Sequence, residues 1–101
     1  MASRLELHKV LCEVLGSTNV YYQPPASVKM RYPAIVYSRS DIDNKHANNS
    51  IYNQKIAYDV IVIDSNPDSK IVEDVSKLPL CRFARHYTAD NLNHDSFTLY
   101  F

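Results

Sequence analysis

Glycine is almost absent from this chain of 101 residues, in which Gly16 is the single example. Glycine-rich phosphate-binding loops need several glycines at fixed spacing, so this scarcity excludes them. Tryptophan is absent, and Cys12 and Cys81 are too few for a disulfide framework, so we expect both to be reduced and buried, as in a cytosolic protein. A charge excess is also lacking, since 11 Lys and Arg balance 11 Asp and Glu. Domains that bind the nucleic-acid backbone usually carry a basic excess, which argues against that class.

No apolar run approaches the roughly 18 residues of a transmembrane helix. The first residues also lack the basic and then apolar order of a signal peptide. The hydrophobic fraction is 46% and the charged fraction 22%, values that are typical of a folded chain rather than a disordered one. A chain of this length has room for one modest core, so residues 1–101 are predicted to form a single domain without an interdomain cleft. We expect no membrane partner.

The first helix is predicted over residues 3–15. Ser3 and Glu6 fit a capping box, in which each side chain bonds the other residue's backbone N–H. Apolar residues then recur at helical spacing. Gly16 follows at the position where a left-handed residue ends many helices.

This helix carries more apolar surface than one contact requires. The arc compatible with burial spans roughly 220°, which predicts a second contact with another subunit. A helix sunk deep in its own core is the alternative. The predicted subunit-interface residues are Leu5, His8, Cys12 and Leu15 on the helix, with Tyr58 on the strand that has apolar residues on both faces.

The remaining elements do not alternate strictly between helix and strand. Their order with the first helix, α-β-β-β-α-β-β, predicts an α+β fold with a mostly antiparallel sheet and two helices packed on it. The longest strand has apolar residues on both faces and is therefore expected at the centre of the sheet. The first half is predicted to contain a strand over 19–22, a loop over 23–33, a strand over 34–39, a turn or long hairpin tip over 41–50 and a strand over 51–64. A helix is predicted from about Pro67, capped by Ser65 or Asn66 and ended by Pro79. The last two strands are predicted over 80–87 and 96–101, joined by residues 88–95.

One cluster, His86, Asp90, His94 and Asp95, has the composition of a metal site. The segment has the pattern of strand, turn and strand, and Asp90 is an ordinary turn residue, so we expect no metal and no cofactor. Adjacent strand residues point to opposite faces, so His94, Asp95 and Ser96 cannot form a proton relay. The chain is not predicted to be an enzyme.

Arg82, Arg85 and Tyr87 leave another function open, a basic and aromatic surface for nucleic acid. The alternative is that the arginines cover the sheet edge and pair with carboxylates, which the zero net charge favours. The eight tyrosines suit contacts with other proteins, although most of them could simply fill the faces of strands.

Three segments resemble small proteins from the head–tail and tail gene modules of tailed phages: residues 15–25 (LGSTNVYYQPP), 30–37 (MRYPAIVY) and 89–95 (ADNLNHD). The similarity extends over nearly the whole chain. These proteins are described as tail completion, tail terminator or minor virion components. The predicted element order is also similar to the tail terminator fold, a small α+β domain that assembles as a hexameric ring.

The resemblance implies a structural protein of a long-tailed phage, whose ring ends the tail tube and joins it to the head connector. The alternative within this class is another neck, connector or minor capsid protein. The implied partners are further copies of the chain, the tail tube protein and the head completion protein, with DNA passing through the ring in weak contact. The implied location is the neck or tail end of the virion, after assembly in the host cytoplasm. The residues implied to meet the axial partners are Pro24, Pro25, Lys29, Met30, Arg31, Asn44, Lys45, His46, Asn48 and Asn49.

Overall fold

The computed structural model describes residues 4–25, 28–47 and 50–101, with the backbone alone over 41–47 and 50–55. The fold is α+β, and its element order is the predicted α-β-β-β-α-β-β. Within the described residues, no helix has both the length and the apolar character needed to cross a membrane. The elements are α1 (Arg4–Leu15), β1 (Val20–Tyr22), β2 (Ala34–Ala47), β3 (Ser50–Asp64), α2 (Lys70–Ser76), β4 (Cys81–Ala89) and β5 (Leu92–Tyr100).

The five strands form one mostly antiparallel sheet in the order β1-β2-β3-β5-β4. Only β1 runs parallel to its neighbour, and it pairs with β2 over three residues. The central position of β3 confirms the prediction from its two apolar faces, because Val60 and Val62 are buried on one face while Ala57 and Ile63 are buried on the other. Sheet order thus leaves β4 at one edge and β1 with β2 at the other.

Both helices pack on the same face of the sheet. Leu7 and Leu11, one helical turn apart on α1, are fully buried with Val75 of α2. They join a core with the alternate residues of β2, β3 and β5, among them Ile35 and Phe97. The described residues of this core cluster all lie on the helix side of the sheet. We call the other side the open face because neither helix packs on it, although Ala57 and Ile63 are buried there.

Helix α1 ends as its sequence predicts. Gly16 has a φ of 78°, and its N–H donates to the carbonyl of Cys12 at 2.8 Å, which satisfies one of the last carbonyl groups of the helix. Ser3 of the predicted capping box lies outside the described residues.

The segment over 41–50 was predicted as a turn or a long hairpin tip, and it belongs to a long β2–β3 hairpin, although the prediction of a turn is wrong for residues 41–47. Strand β2 continues to Ala47, and its pairing with β3 runs from Asp41↔Ala57 to Ala47↔Ser50. Asp and Asn disfavour strands, but strand preference depends strongly on context, and β3 supplies backbone partners along the whole stretch. Register shifts between Arg39 and Asp41 and between residues 45 and 46 accommodate the irregular sequence.

Helix α2 begins later than predicted, at Lys70, with Ser69 as its N-cap residue in an extended conformation. The residues before it are held in turns by short polar side chains. The Asp64 carboxylate accepts the N–H of Asn66 at 3.1 Å, and the Asn66 side chain accepts the N–H of Asp68 at 3.0 Å. These bonds offer the backbone an alternative to the helix, so the helical turn predicted from Pro67 does not form.

The connection between β4 and β5 is shorter than the predicted loop over 88–95. The strands run to Ala89 and from Leu92, and the two residues between them, Asp90 and Asn91, have φ values of 53° and 63°. Two consecutive residues with positive φ are typical of a type I′ hairpin turn, and Asp and Asn tolerate that conformation. The prediction of Asp90 as a turn residue is confirmed, but the strands on either side are longer than expected.

Candidate functional site

Strand β4 is the most exposed strand that the structure describes in full. It pairs only with β5, and the five side chains over 82–86 are all exposed. Its outer edge therefore presents backbone N–H and C=O groups to solvent. Such an edge is a template for another strand, so its side chains decide what can approach it.

Two arginines of β4 lie on the open face. Arg82 pairs in register with Thr98, and Arg85 pairs with Ser96, although the arginines are three positions apart in sequence. A regular strand would place them on opposite faces, but a register shift between Phe83 and Arg85 inserts one extra residue. The bulge therefore gives the arginines the spacing of residues two apart on a regular strand.

An aromatic stack continues this basic surface. The guanidinium carbon of Arg85 lies 4.9 Å from the ring centroid of Tyr87. The Tyr87 ring in turn stacks on His94, with centroids 4.8 Å apart and the planes inclined by 16°. Since Tyr87 and His94 are paired in register, the stack crosses from β4 to β5 and holds Arg85 by a cation–π contact.

The arginines have no carboxylate partner among the described side chains. The ion pairs found there join Lys77 to Glu73 and His86 to Asp95. The expectation that Arg82 and Arg85 cover the edge and pair with carboxylates is therefore not met by this part of the chain. Their positive charge is available to a partner.

The opposite face of β4 combines an apolar and a polar contact. Phe83 is 52% exposed and packs edge-to-face on the buried Phe97, with centroids 5.6 Å apart. Farther along, His86 Nδ1 lies 2.8 Å from the Asp95 carboxylate. His86 and Asp95 are thus on the helix side of the sheet, whereas His94 is on the open face, so the residues of the metal-like pattern are divided between two faces. No group of three His, Cys, Asp or Glu suited to a metal ion occurs among the described residues.

An apolar groove of about 420 Å³ lies between α1, the connection from α2 to β4, and the end of β5. Leu80 is 56% exposed and Tyr100 is 39% exposed on its rim. The groove suits an apolar side chain of a partner rather than a reacting substrate. Its other lining residues include Leu7, Val10, Leu78, Leu99 and Phe101.

A cluster of tyrosines, Tyr22, Tyr37 and Tyr58, connects α1 to the sheet through Tyr37 and Tyr22. The Tyr37 hydroxyl lies 2.8 Å from His8 Nδ1 and accepts an N–H of Arg4 at 3.3 Å. Arg4 also lies over the Tyr22 ring, 4.4 Å from its centroid. Burial raises the pKa of Tyr37 and of Tyr58 above the ordinary value of 10.0, because the ionised phenolate loses its hydration there.

The predicted subunit-interface residues occupy different environments. Leu5 is 64% exposed, whereas Tyr58 is 2% exposed and lies in the core, so the Tyr58 side chain presents no surface to another subunit. Cys12 and Leu15 are half-buried against the chain's own core, and half-buried His8 contacts Tyr37. Packing of α1 against the chain's own sheet thus accounts for much of the broad apolar arc of the helix. The contact with a second subunit stays a prediction, with Leu5 as its most accessible residue.

The predicted axial residues fall in two groups. The connection over 23–33 contains no helix or strand in its described part, as expected, and it holds Pro24, Pro25, Lys29, Met30 and Arg31. Asn44, Lys45 and His46 lie on β2 rather than in a loop, because the strand continues to Ala47. Asn48 and Asn49 lie outside the described residues.

Sequence reasoning missed the exposed apolar residues beside β4, which are Leu80, Phe83 and Tyr100. Their exposure follows from the edge position of β4, which local periodicity does not report. The proline at 79 and the short apolar stretch after it were the only local signals.

No family model matches this chain, and the curated proteins contain no match to it. What the structure defines is therefore a class: a small α+β domain with one sheet face covered by helices, one open face and a basic, exposed edge strand.

Proposed function

We propose that this chain is a structural subunit of a homo-oligomeric ring in a long-tailed phage, which ends the tail tube and joins it to the head connector. The main support is the exposed edge of β4, where the Phe83 side chain is exposed and where Leu80, just before the strand, lines an apolar groove. Exposed edges and apolar surface are usually covered in a folded protein, and a neighbouring subunit covers both at once.

A ring needs a contact between two different surfaces of the subunit. Contacts between unlike patches close into rings when the rotation between neighbours permits, and otherwise extend into filaments. The sheet provides two unlike edges, β4 on one side and β1 with β2 on the other. This arrangement supports head-to-tail addition of subunits, with Leu5 of α1 available for a further lateral contact.

The phage role is supported by the resemblance of residues 15–25, 30–37 and 89–95 to phage head–tail proteins, and by the element order. The connection over 23–33 supplies an axial surface, because Lys29 and Arg31 are exposed within it. In this proposal it contacts the tail tube protein or the head completion protein, and DNA passes the ring in weak contact. Another neck or connector position in the same particle would use the same surfaces.

The proposed ring is tested by sedimentation velocity and negative-stain electron microscopy of the purified chain over a range of concentrations. We expect closed rings, six subunits being the number that the resemblance implies. Antibodies against the chain should label the neck or tail end of purified virions whose genome encodes it. A chain that remains monomeric at high concentration and is missing from those virions would contradict the proposal.

One observation favours a second candidate, a small nucleic-acid-binding module. Arg82, Arg85 and Tyr87 share the open face, and the arginines lack carboxylate partners among the described side chains. Arginine and aromatic side chains on a sheet are typical of surfaces that bind single strands. This candidate predicts salt-sensitive binding to a single-stranded oligonucleotide that Arg82→Ala weakens, and no shift in a low-salt gel assay would remove it.

A further inference from the structure

The second edge of the sheet is only partly covered. Strand β1 pairs with β2 at Ile35, Val36 and Tyr37, and the Gln23 side chain accepts the N–H of Arg39 at 3.4 Å. Beyond this point, over residues 40–47, β2 pairs with β3 alone in the part of the chain that the structure describes. Its outer backbone groups form a second open edge, similar in length to the nine residues of β4.

The two open edges carry opposite charges. Strand β4 contains Arg82 and Arg85 and no acidic residue. The open part of β2 contains Asp41 and Asp43, with Lys45 farther along. Each edge therefore carries two like charges, which attract the other edge and repel a second copy of the same edge.

The spacing of these charges also matches. Asp41 and Asp43 are two residues apart, the separation that puts strand residues on one face. The bulge in β4 gives Arg82 and Arg85 the same separation, since they stand opposite Thr98 and Ser96 of β5. The Cβ atoms of directly opposed residues on neighbouring strands lie about 4.5–5.5 Å apart, so oppositely charged side chains at such positions can form an ion pair.

From these observations we propose that β4 of one subunit pairs with the 40–47 segment of β2 in the next subunit, with Arg82 and Arg85 at register positions opposite Asp41 and Asp43. The occupant of the basic edge is thus a second copy of this chain. This inference rests on the proposed function, because it names the lateral contact of the ring.

Charged residues and bulges on edge strands commonly prevent unwanted pairing. In β4 the two arginines oppose pairing with a second β4, because like charges would then meet. They do not oppose an acidic edge. The same features that keep two β4 edges apart therefore select the open edge of β2, which makes the contact head-to-tail rather than symmetric.

A charge exchange tests this pairing by sedimentation velocity. Arg82→Glu with Arg85→Glu, and separately Asp41→Lys with Asp43→Lys, should each weaken subunit association by about tenfold or more, since two attractive pairs become repulsive. Combining all four substitutions should restore association to near the original value. A 1:1 mixture of the two double variants should also assemble, because wild-type and exchanged contacts then alternate around the ring.

The matched control for the arginine variant is Lys70→Glu with Lys77→Glu, which lowers the net charge by the same amount on exposed residues of α2 and its C-cap. It should assemble as the unmodified chain does. Circular dichroism and thermal unfolding establish that each variant is folded. Folded double variants that associate normally, or a folded quadruple variant that stays dissociated, would overturn the pairing while the ring itself stands.

Two other outcomes are also decisive. If the unmodified chain never associates, both the ring and this contact are wrong. If Arg82→Glu with Arg85→Glu leaves association intact but abolishes binding to a single-stranded oligonucleotide, the basic edge serves nucleic acid and the pairing with a second copy is wrong.

Discussion

The hydroxyl of Tyr37 lies 2.8 Å from Nδ1 of His8, a hydrogen bond between residues 29 apart in the chain that joins β2 to α1. Arg4 donates to the same hydroxyl, so the hydroxyl oxygen accepts from Arg4 while its own hydrogen is free to be donated to His8 Nδ1. Tyr37 is completely buried. One hydroxyl therefore satisfies two polar side chains of the helix at the edge of the core.

Replacing Tyr37 by Phe should lower the free energy of unfolding by about 1–2 kcal/mol, since both helix side chains lose a partner while the ring still fills its site. Urea denaturation followed by circular dichroism measures the change. Tyr100→Phe is the matched control, because Tyr100 is 39% exposed and water can replace its contacts. Equal stability of the two variants would contradict a role for the Tyr37 hydroxyl.

The buried tyrosines predict a loss of stability in alkaline solution. Desolvation raises the pKa of Tyr37 and Tyr58 above 10.0, although the hydrogen bond from Arg4 opposes the shift at Tyr37 and the neighbouring Tyr22 adds to it at Tyr58. Below pH 10 both residues are neutral in the folded and unfolded chains. Above it the unfolded chain ionises first, so stability is lost as the pH rises through the folded pKa values.

Urea denaturation from about pH 8 to about pH 11 should therefore give a constant free energy of unfolding at first and a decrease above about pH 10. The variant with Tyr37→Phe and Tyr58→Phe should be less stable at neutral pH but show a smaller alkaline decrease. An alkaline decrease of unchanged size in that variant would assign the effect to other groups.

Local signals in the sequence were enough for α1 and for the position of β3. The end of α1 at Gly16 follows from one residue's backbone freedom, and the centre of the sheet follows from the two apolar faces of β3. The length of β2 was not predictable in this way. Five of its residues 41–47 are polar, and the segment becomes a strand because β3 pairs with it across the hairpin, a contact that composition does not report.

The basic part of the candidate site was open to sequence reasoning as one of two interpretations, but its exposed apolar residues and its geometry were not. Arg82, Arg85 and Tyr87 were recognised as one basic and aromatic strand. In a regular strand, Arg82 would face away from Arg85, and only the bulge after Phe83 brings them to one face. A bulge depends on the register of two strands, so the sequence of β4 alone does not contain it.

Gly16→Ala should destabilise the chain by about 1 kcal/mol, because an alanine in the left-handed region brings its Cβ close to the following carbonyl. Among the described residues, no atom beyond Gly16's own chain neighbours lies within 4 Å of where the alanine Cβ would stand. The cost is thus confined to the backbone, and Gly16→Asn should recover part of it. Thermal unfolding of the two variants measures the difference. An alanine variant as stable as the unmodified chain would show that the end of α1 relaxes to another conformation.

Leu80 also has a left-handed backbone, with a φ of 58°, and its carbonyl accepts the N–H of Tyr100 at 3.1 Å. This conformation costs a bulky residue about 1–2 kcal/mol. Glycine would remove that strain but would add about 0.5–1 kcal/mol of conformational entropy to the unfolded chain. Leu80→Gly should therefore raise the free energy of unfolding by up to about 1 kcal/mol.

In the proposed ring, the same substitution should weaken subunit association, because Leu80 is 56% exposed on the rim of the apolar groove and its side chain would no longer contact the neighbouring subunit. Leu80→Asn is the matched variant, since asparagine tolerates the left-handed conformation, keeps a side chain and lacks apolar surface. We expect both variants to unfold at a higher urea concentration as monomers and to associate less in sedimentation velocity. Variants that are more stable and associate as before would show that the strained leucine does not contribute to the subunit contact.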